Sequence, residues 1–112
     1  MKIAVEEKMG VSVLTPEDHV LDADNSTKFR HDVAAILESR ANVVFDMSAV
    51  GFIDSSGCGV LLSCLRKLRD KGGDLKLCGM SQQIRSLFQI IRLDKILDTY
   101  DNREDAVGAF QD

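Results

Sequence analysis

The chain has few aromatic residues: it contains no Trp, one Tyr and five Phe among 112 residues. Aromatic platforms on which nucleic-acid bases could stack are therefore scarce. Hydrophobic residues nevertheless make up 45% of the chain, which is enough for one domain, residues 1–112, with a buried core. We expect Leu, Ile and Val to fill that core around the bulky anchors Phe29, Phe45, Phe52, Phe88 and Phe110.

The chain also lacks an excess of positive charge. Its net charge is -4 at pH 7 and its pI is about 5.1, whereas binding to phosphate backbones requires a concentrated basic surface. We interpret the basic residues that do cluster on one predicted helix as a solvated face; they are Arg66, Lys67, Arg69 and Lys71. We therefore expect no nucleic-acid partner.

Long hydrophobic runs and paired cysteines are missing as well. No run approaches the roughly 20 residues of a membrane-spanning helix, and residues 1–8 turn acidic too soon for a secretory signal. Three cysteines, Cys58, Cys64 and Cys78, form no C-x-x-C pair, which suits a reducing compartment. We expect a cytoplasmic protein without membrane contact, whose cysteines are small buried apolar side chains.

The usual motifs for catalysis and metal binding are absent from the sequence. There is no G-x-S-x-G around a serine nucleophile, and no spacing links His19 or His31 to a serine. The acidic segment at residues 18–24 matches no calcium or zinc loop. Gly57 and Gly59 lack the third glycine of a dinucleotide-binding motif. We expect a protein that is not an enzyme and has no cofactor or metal.

The hydrophobic pattern predicts alternating strands and helices. Gly10 supplies the turn of a hairpin between the first two strands, and the strand at residues 42–46 is predicted to be central and covered on both faces. Residues 47–54 are predicted to form a loop. The strands are predicted at residues 3–7, 11–15, 42–46, 75–78 and 96–100, and the helices at residues 27–39, from about Ser55 to residue 72, after Ser81, and from Asn102 to near Phe110.

This order of elements, β-β-α-β-α-β-α-β-α, predicts the fold class. Strands that alternate with helices through short loops pair in parallel, and the helices then pack on the sheet. We expect an α/β fold in which a mixed, mostly parallel sheet of about five strands packs against about four helices.

The most informative segment reads Ile-Asp-Ser-Ser-Gly-Cys-Gly. It places Asp54, Ser55 and Ser56 between a strand and a helix, where side-chain oxygens accept hydrogen bonds from free backbone N–H groups. Gly57 and Gly59 are expected to leave the first turn open to an approaching partner. A hydroxyl exposed there is easily phosphorylated, and a phosphoserine gains from the helix dipole and from free N–H donors.

Phosphorylation at this place would change the charge of a single surface spot. The phosphate adds about 1.5 to 2 negative charges, and Asp22, Asp24 and Asp54 are expected nearby. The added charge would repel an acidic partner or clash within a close-packed one. A penalty of about 3 kcal/mol weakens binding roughly a hundredfold, which is enough to switch a complex off.

Two regions resemble the STAS domain of the anti-sigma factor antagonist type, and the resemblance extends over nearly the whole chain. Residues 43–46 and 53–59 reproduce the family's hydrophobic strand ending in Asp and its Asp-Ser-Ser-Gly-x-Gly motif. The family's later helix and strand pattern is similar to residues 72–75 and 84–97. The resemblance implies a STAS fold and identifies Ser55, the first serine after the aspartate, as the phosphoacceptor, with Ser56 as the second choice.

The resemblance further implies a regulatory cycle. The unphosphorylated protein binds an anti-sigma factor, often a serine kinase of the histidine-kinase-like ATPase fold, and so releases the sigma factor. The kinase then inactivates the protein at Ser55, and a metal-dependent serine phosphatase restores it, so ATP and metal belong to the partners. We expect a monomer or weak dimer whose partner-binding residues are Asp22, Asp24, Asp54, Ser55, Ser56, Gly57, Cys58 and Gly59.

Several alternatives stay open at this point. Ser55 could be a helix N-cap alone, although we predict that Ser56 is the structural cap and that Asp54 either orients the acceptor hydroxyl or closes the loop. Residues 16–19 form an apparent insertion relative to the family pattern, which leaves partner choice at that edge open. The second function class is a constitutive STAS subunit that scaffolds a larger regulatory or transporter assembly without phosphorylation.

Overall fold

The first two strands form the predicted hairpin. In the computed structural model, which describes residues 1–111, strand β1 (Ile3–Lys8) pairs antiparallel with β2 (Val11–Pro16). The chain reverses at Met9 and Gly10, whose φ angles are 53° and 79°. Positive φ at both central residues defines the type I′ turn, whose twist matches that of the paired strands. Gly10 adopts this conformation without a steric cost.

The remaining predicted elements follow in the predicted order, together with two short strands and a 3-10 helix that were not predicted. None of the helices within residues 1–111 is long and apolar enough to cross a membrane. After the hairpin come β3 (Val20–Leu21), α1 (Ser26–Leu37), β4 (Asn42–Asp46), β5 (Phe52–Ile53), α2 (Ser55–Asp70), β6 (Asp74–Cys78), α3 (Gln82–Ile90), a 3-10 helix (Leu93–Lys95), β7 (Asp98–Tyr100) and α4 (Arg103–Gly108).

Five strands form the main sheet in the order β1-β2-β4-β6-β7. Strand β1 is antiparallel to β2, and the other pairs are parallel. The larger core lies between this sheet and helices α1, α2 and α3, and a smaller one lies between the sheet and α4. Strand β4 is central and buried from Val43 to Asp46. The predicted fold class is therefore confirmed.

Two short strands were not predicted. Strands β3 and β5 pair in parallel outside the main sheet, with Val20 opposite Phe52 and Leu21 opposite Ile53. The prediction of an uninterrupted loop over residues 47–54 is therefore wrong. Two residues are too few to show a strand period, so this pairing depends on backbone hydrogen bonds between segments distant in the sequence.

The last strand is shorter than predicted. Residues 96–100 were expected to be extended, but β7 covers Asp98–Tyr100. The N–H of Leu97 donates a hydrogen bond to the backbone oxygen of Leu93 at 2.8 Å. Both leucines are buried, whereas Ile96 is 47% exposed. The apolar residues before β7 thus close a helical turn over the core instead of extending the strand.

Three of the five predicted phenylalanine anchors fill the core. Phe29, Phe45 and Phe88 are almost fully buried, whereas Phe52 is 47% exposed and Phe110 is half-buried. The prediction for Phe52 is wrong, because β5 lies outside the main sheet and has no layer on its outer face. The prediction for the cysteines is correct, since all three are buried: Cys58, Cys64 and Cys78.

Candidate functional site

The residue before helix α2, Asp54, places its carboxylate at the N-terminus of the helix. Asp54 Oδ1 accepts hydrogen bonds from the backbone N–H groups of Ser56 and Gly57, at 2.8 and 3.1 Å. The carboxylate satisfies two otherwise free donors and places a negative charge at the positive end of the helix dipole. Asp54 is therefore the N-cap. The prediction that Ser56 caps the helix is wrong, and so is the alternative that Ser55 does, because the carboxylate of Asp54 accepts the hydrogen bonds from these N–H groups.

Ser55 is the first residue of α2, and its side chain is exposed to solvent, whereas Ser56 is half-buried. Asp54 already accepts the N–H groups of Ser56 and Gly57, so a phosphate on Ser55 would not find these two donors free. The prediction that these two donors stabilise a phosphoserine is therefore wrong. The helix dipole still favours a negative charge at this position. Ser55 is thus an exposed residue at the positive end of the helix dipole.

Asp54 also joins a second loop to the start of α2. Its Oδ2 accepts a hydrogen bond from the N–H of Ala23 at 3.1 Å. Within that loop the N–H of Asp24 donates to Asp22 Oδ1, and the N–H of Asp22 donates to Asn25 Oδ1, both at 3.0 Å. Asp24 is exposed and Asp22 half-buried. The structure thus brings the loop that carries both acidic residues against the helix start; we call residues 22–25 the acidic loop.

The two glycines of the motif have different surroundings. A Cβ atom at Gly57 would lie 2.6 Å from Ile53 Cγ1 and 2.7 Å from the backbone oxygen of Leu21, whereas a Cβ at Gly59 would meet nothing within 4 Å. Gly57 therefore lets α2 approach β3 and β5 closely. The expectation that Gly57 opens the first turn to a partner is wrong, because the protein itself fills that space. Gly59 does border open space.

Cys58 lies beneath this surface. Its side chain is 4% exposed, and burial, followed by the negative charge of Asp54, raises the pKa of its thiol. A buried thiol with a raised pKa behaves as a small apolar side chain and not as a reactive group. We therefore do not retain Cys58 as a direct partner contact.

The apparent insertion at residues 16–19 helps to hold β5 in place. The backbone oxygen of His19 accepts hydrogen bonds from the N–H groups of Gly51, at 2.7 Å, and Phe52, at 3.2 Å. The imidazole ring lies against Gly51, where an added Cβ would be 2.3 Å from Cε1. The insertion is thus a structural part of the site, because it supports the strand that leads to α2.

A hydrophobic groove opens between β5 and α3. Its volume is about 250 Å³, and its lining includes Phe52, Leu87 and Ile90. Phe52 is 47% and Ile90 78% exposed, and Leu87 is half-buried. Since Phe52 stands three positions before Ser55, this groove, which we call the Phe52 groove, adjoins the start of α2.

Sequence reasoning did not assign the Phe52 groove to the site. Phe52 was expected in the core. One signal was present: Ile90 falls off the helical stripe that contains Ile84 and Phe88. A large apolar residue on the outer face of a helix indicates a contact surface when others lie beside it.

The acidic residues near α2 do not form a metal centre. Within residues 1–111, no group of three His, Cys, Asp or Glu side chains could hold a metal ion. Asn25 Nδ2 instead donates hydrogen bonds to the backbone oxygen of Val20, at 2.7 Å, and to Asp18 Oδ2, at 3.4 Å. The groups that this surface offers are an exposed hydroxyl, carboxylates and apolar side chains.

Comparison with known proteins identifies the family. Residues 2–106 match the family model of the STAS domain, and the chain belongs to this family. It is similar to the anti-sigma F factor antagonist of Paenibacillus polymyxa, with 28% identity over 96% of this chain and 92% of that protein.

Solved structures show the same architecture. An anti-sigma factor antagonist from Mycobacterium paratuberculosis superposes with a TM-score of 0.86 and 27% identity, covering 99% of this chain and 94% of that chain. The Bacillus cell fate determinant SpoIIAA in its phosphorylated form has a TM-score of 0.69 and 20% identity, covering 98% and 100%. At that identity, SpoIIAA shows a shared fold alone.

Proposed function

We propose that this protein is an anti-sigma factor antagonist controlled by phosphorylation of Ser55. Its unphosphorylated form binds an anti-sigma factor that is also a serine kinase of the histidine-kinase-like ATPase fold, and so releases the sigma factor. The observation that carries the proposal is the exposure of Ser55 at the start of α2, next to the acidic loop and the Phe52 groove. The similarity to an anti-sigma F factor antagonist over almost the full chain supports the same class of partner.

Phosphorylation is proposed to block the binding surface without refolding the domain. Asp54 keeps the N–H groups of Ser56 and Gly57, so the cap of α2 does not depend on the state of Ser55. The phosphate, with about 1.5 to 2 negative charges, would remain hydrated in solvent. A close-packed partner would have to desolvate it, and a penalty of about 3 kcal/mol lowers affinity roughly a hundredfold.

The shape and charge of this surface favour a partner with basic and apolar groups. Asp22, Asp24 and Asp54 create a negative potential that attracts cationic side chains. The Phe52 groove can accept an apolar side chain. Because a basic partner is attracted to this surface, we infer that the phosphate acts through desolvation and steric exclusion and not through long-range repulsion.

The remaining steps of the cycle are assigned to other proteins. The kinase uses ATP to phosphorylate Ser55, and a metal-dependent serine phosphatase removes the phosphate. ATP is therefore the substrate of the kinase, and the metal belongs to the phosphatase. This chain acts by binding and not as an enzyme. We propose that it works in the cytoplasm as a monomer or weak dimer.

Affinity capture from a lysate of the native host tests the proposal. The baits are the wild-type protein, Ser55→Asp as a mimic of the phosphorylated form, and Ser39→Asp as a control. Ser39 is also an exposed serine, beyond the end of α1, so this control adds the same charge away from the site. Mass spectrometry identifies the proteins retained on each bait.

The three baits separate the two function classes. A kinase-like ATPase that is enriched on the wild-type and Ser39→Asp baits and lost on Ser55→Asp supports the switch. Capture of the same proteins by all three baits would contradict it, and would favour the constitutive scaffold subunit instead.

A further inference from the structure

Asp46 is an acidic side chain buried at the end of the central strand. It is 6% exposed, and its two carboxylate oxygens bind different parts of the molecule. Oδ2 accepts a hydrogen bond from Arg103 Nε at 2.5 Å, and Oδ1 accepts one from the N–H of Ser48 at 3.0 Å. Gly79 packs against this carboxylate, since an added Cβ there would lie 2.9 Å from Oδ1. The carboxylate is therefore held in one orientation.

Arg103 fastens the start of α4 to the main sheet. Its Nη2 donates a hydrogen bond to Thr15 Oγ1 at 2.8 Å, and its Nη1 lies 3.2 Å from Glu6 Oε2. Together with Asp46, these contacts connect α4 to β2, β1 and β4. A planar guanidinium with donors in a fixed fork suits such a junction better than a flexible amine does.

The loop of residues 47–51 connects this junction to the candidate site. The N–H of Val50 donates to the backbone oxygen of Met47 at 3.0 Å, and that of Gly51 donates to His19 at 2.7 Å. The N–H of Met47 donates to the backbone oxygen of Cys78 at 2.8 Å, so the backbone holds the loop at its first and last residues. The carboxylate of Asp46 holds it at Ser48, between those two points. Strand β5 and the first residue of α2 follow directly.

We propose that Arg103 is a positioning residue for the start of α2, acting through Asp46 on the loop of residues 47–51 and so on the presentation of Ser55. Only the role of Ser55 as the phosphorylated residue rests on the proposed function. Without the guanidinium, the carboxylate is free to turn towards solvent, and the N–H of Ser48 loses its fixed acceptor. Helix α4 therefore helps to set the geometry of a site built by other elements.

Hydrogen exchange of backbone amides, measured residue by residue by NMR on the full chain without a partner, tests the inference. Arg103→Met removes the charge and all donors but keeps an apolar stem, and Arg103→Lys keeps a charged donor. Arg85→Met is the matched control, because it removes an Arg–Asp pair with Asp101 that is exposed on the surface. Urea unfolding of each variant measures global stability in parallel.

We expect Arg103→Met to accelerate exchange about tenfold more at residues 47–55 than in α1 or α3, with which Arg103 has no hydrogen bond or ion pair within residues 1–111. Arg103→Lys should restore part of the protection, and Arg85→Met should leave these amides unchanged. An equal acceleration throughout the sheet, or none at residues 47–55, would overturn the inference. If Arg103→Met does not fold, Arg103→Lys is the test. A smaller acceleration of exchange that is confined to residues 47–55 supports the inference, and its absence there overturns it. Because no partner is present, this outcome is independent of whether Ser55 is a switch.

Discussion

Asp54 stabilises two segments next to Ser55. One carboxylate oxygen caps α2, and the other accepts a hydrogen bond from Ala23 in the acidic loop. We predict that Asp54→Ala lowers the free energy of unfolding by about 1–2 kcal/mol, the usual cost of a lost cap. Asp24→Ala, which changes an exposed side chain of the same loop, should stay within about 0.5 kcal/mol. Urea denaturation measures both. Equal effects of the two substitutions would contradict the assignment of the cap.

Gly57 and Gly59 form a matched pair of positions in one helix. A methyl group at Gly57 would collide with Ile53 and with the backbone oxygen of Leu21, whereas the one at Gly59 enters open space. We predict that Gly57→Ala destabilises the protein by about 1–3 kcal/mol through overpacking. Gly59→Ala should be neutral or stabilise it by up to about 1 kcal/mol, because Ala favours helix. Thermal or urea unfolding tests this, and equal stability of the two variants would refute the close packing at Gly57.

The ion pair of Asp46 predicts a pH dependence. Burial alone would raise the pKa of Asp46, but hydrogen bonds from Arg103 and Ser48 hold it below the ordinary value of 3.8. A carboxyl group whose pKa is lowered by folding stabilises the native state above its unfolded pKa, and this stabilisation disappears as the pH falls through the lower, folded value. We predict that Asp46→Asn loses less stability than the wild type between pH 5 and acidic pH near 2. Urea midpoints across that range test it, and parallel curves would contradict it.

At the scale of elements, the Phe52 groove joins β5 to α3. We predict that Phe52→Ala weakens binding of the captured ATPase by about 1–3 kcal/mol, the range of a buried anchor residue in an interface. Ile96→Ala is the control, because Ile96 is 47% exposed like Phe52 but does not line the groove. Titration calorimetry with each folded variant measures the difference. Equal affinities would place the partner elsewhere.

The longer elements were predictable from the sequence because their patterns extend over several residues. The apolar stripe of α2 runs from Val60 to Leu68, about two and a half turns, and two glycines follow the helix. The β-branched run of β4 is apolar on both faces, as a central parallel strand requires. Strands β3 and β5 have two residues each, so no period exists to detect them. The helical turn after Leu93 could not be predicted either, because its apolar residues resemble the start of a strand.

The candidate site was predictable in part. The motif around Ser55 is local, so its position between a strand and a helix could be inferred from neighbouring residues. The hydrogen bond from Ala23 to Asp54 joins residues 31 positions apart, and no local pattern reveals it. The exposure of Phe52 depends on which layers cover β5. Burial of Gly57 depends in the same way on packing against Leu21 and Ile53.

At the scale of the whole molecule, different helices cover the two faces of the sheet, and the candidate site lies on one side only. Helices α1, α2 and α3 cover one face and build the larger core, and the site lies where α2 and α3 meet the small β3–β5 sheet. Helix α4 covers the other face and is tied to β4 by Arg103. The elements around Ser55 are all formed in the free protein, which is what the proposed control by a surface modification without refolding requires.

The affinity of the captured ATPase for protein carrying phosphoserine at position 55, compared with unmodified protein, tests the central claim most directly. The modified protein can be made by incorporating phosphoserine during translation, and its NMR spectrum shows whether the fold is kept. We predict an unchanged fold and an affinity lower by roughly a hundredfold, about 3 kcal/mol. Equal affinity of the two forms would contradict the account.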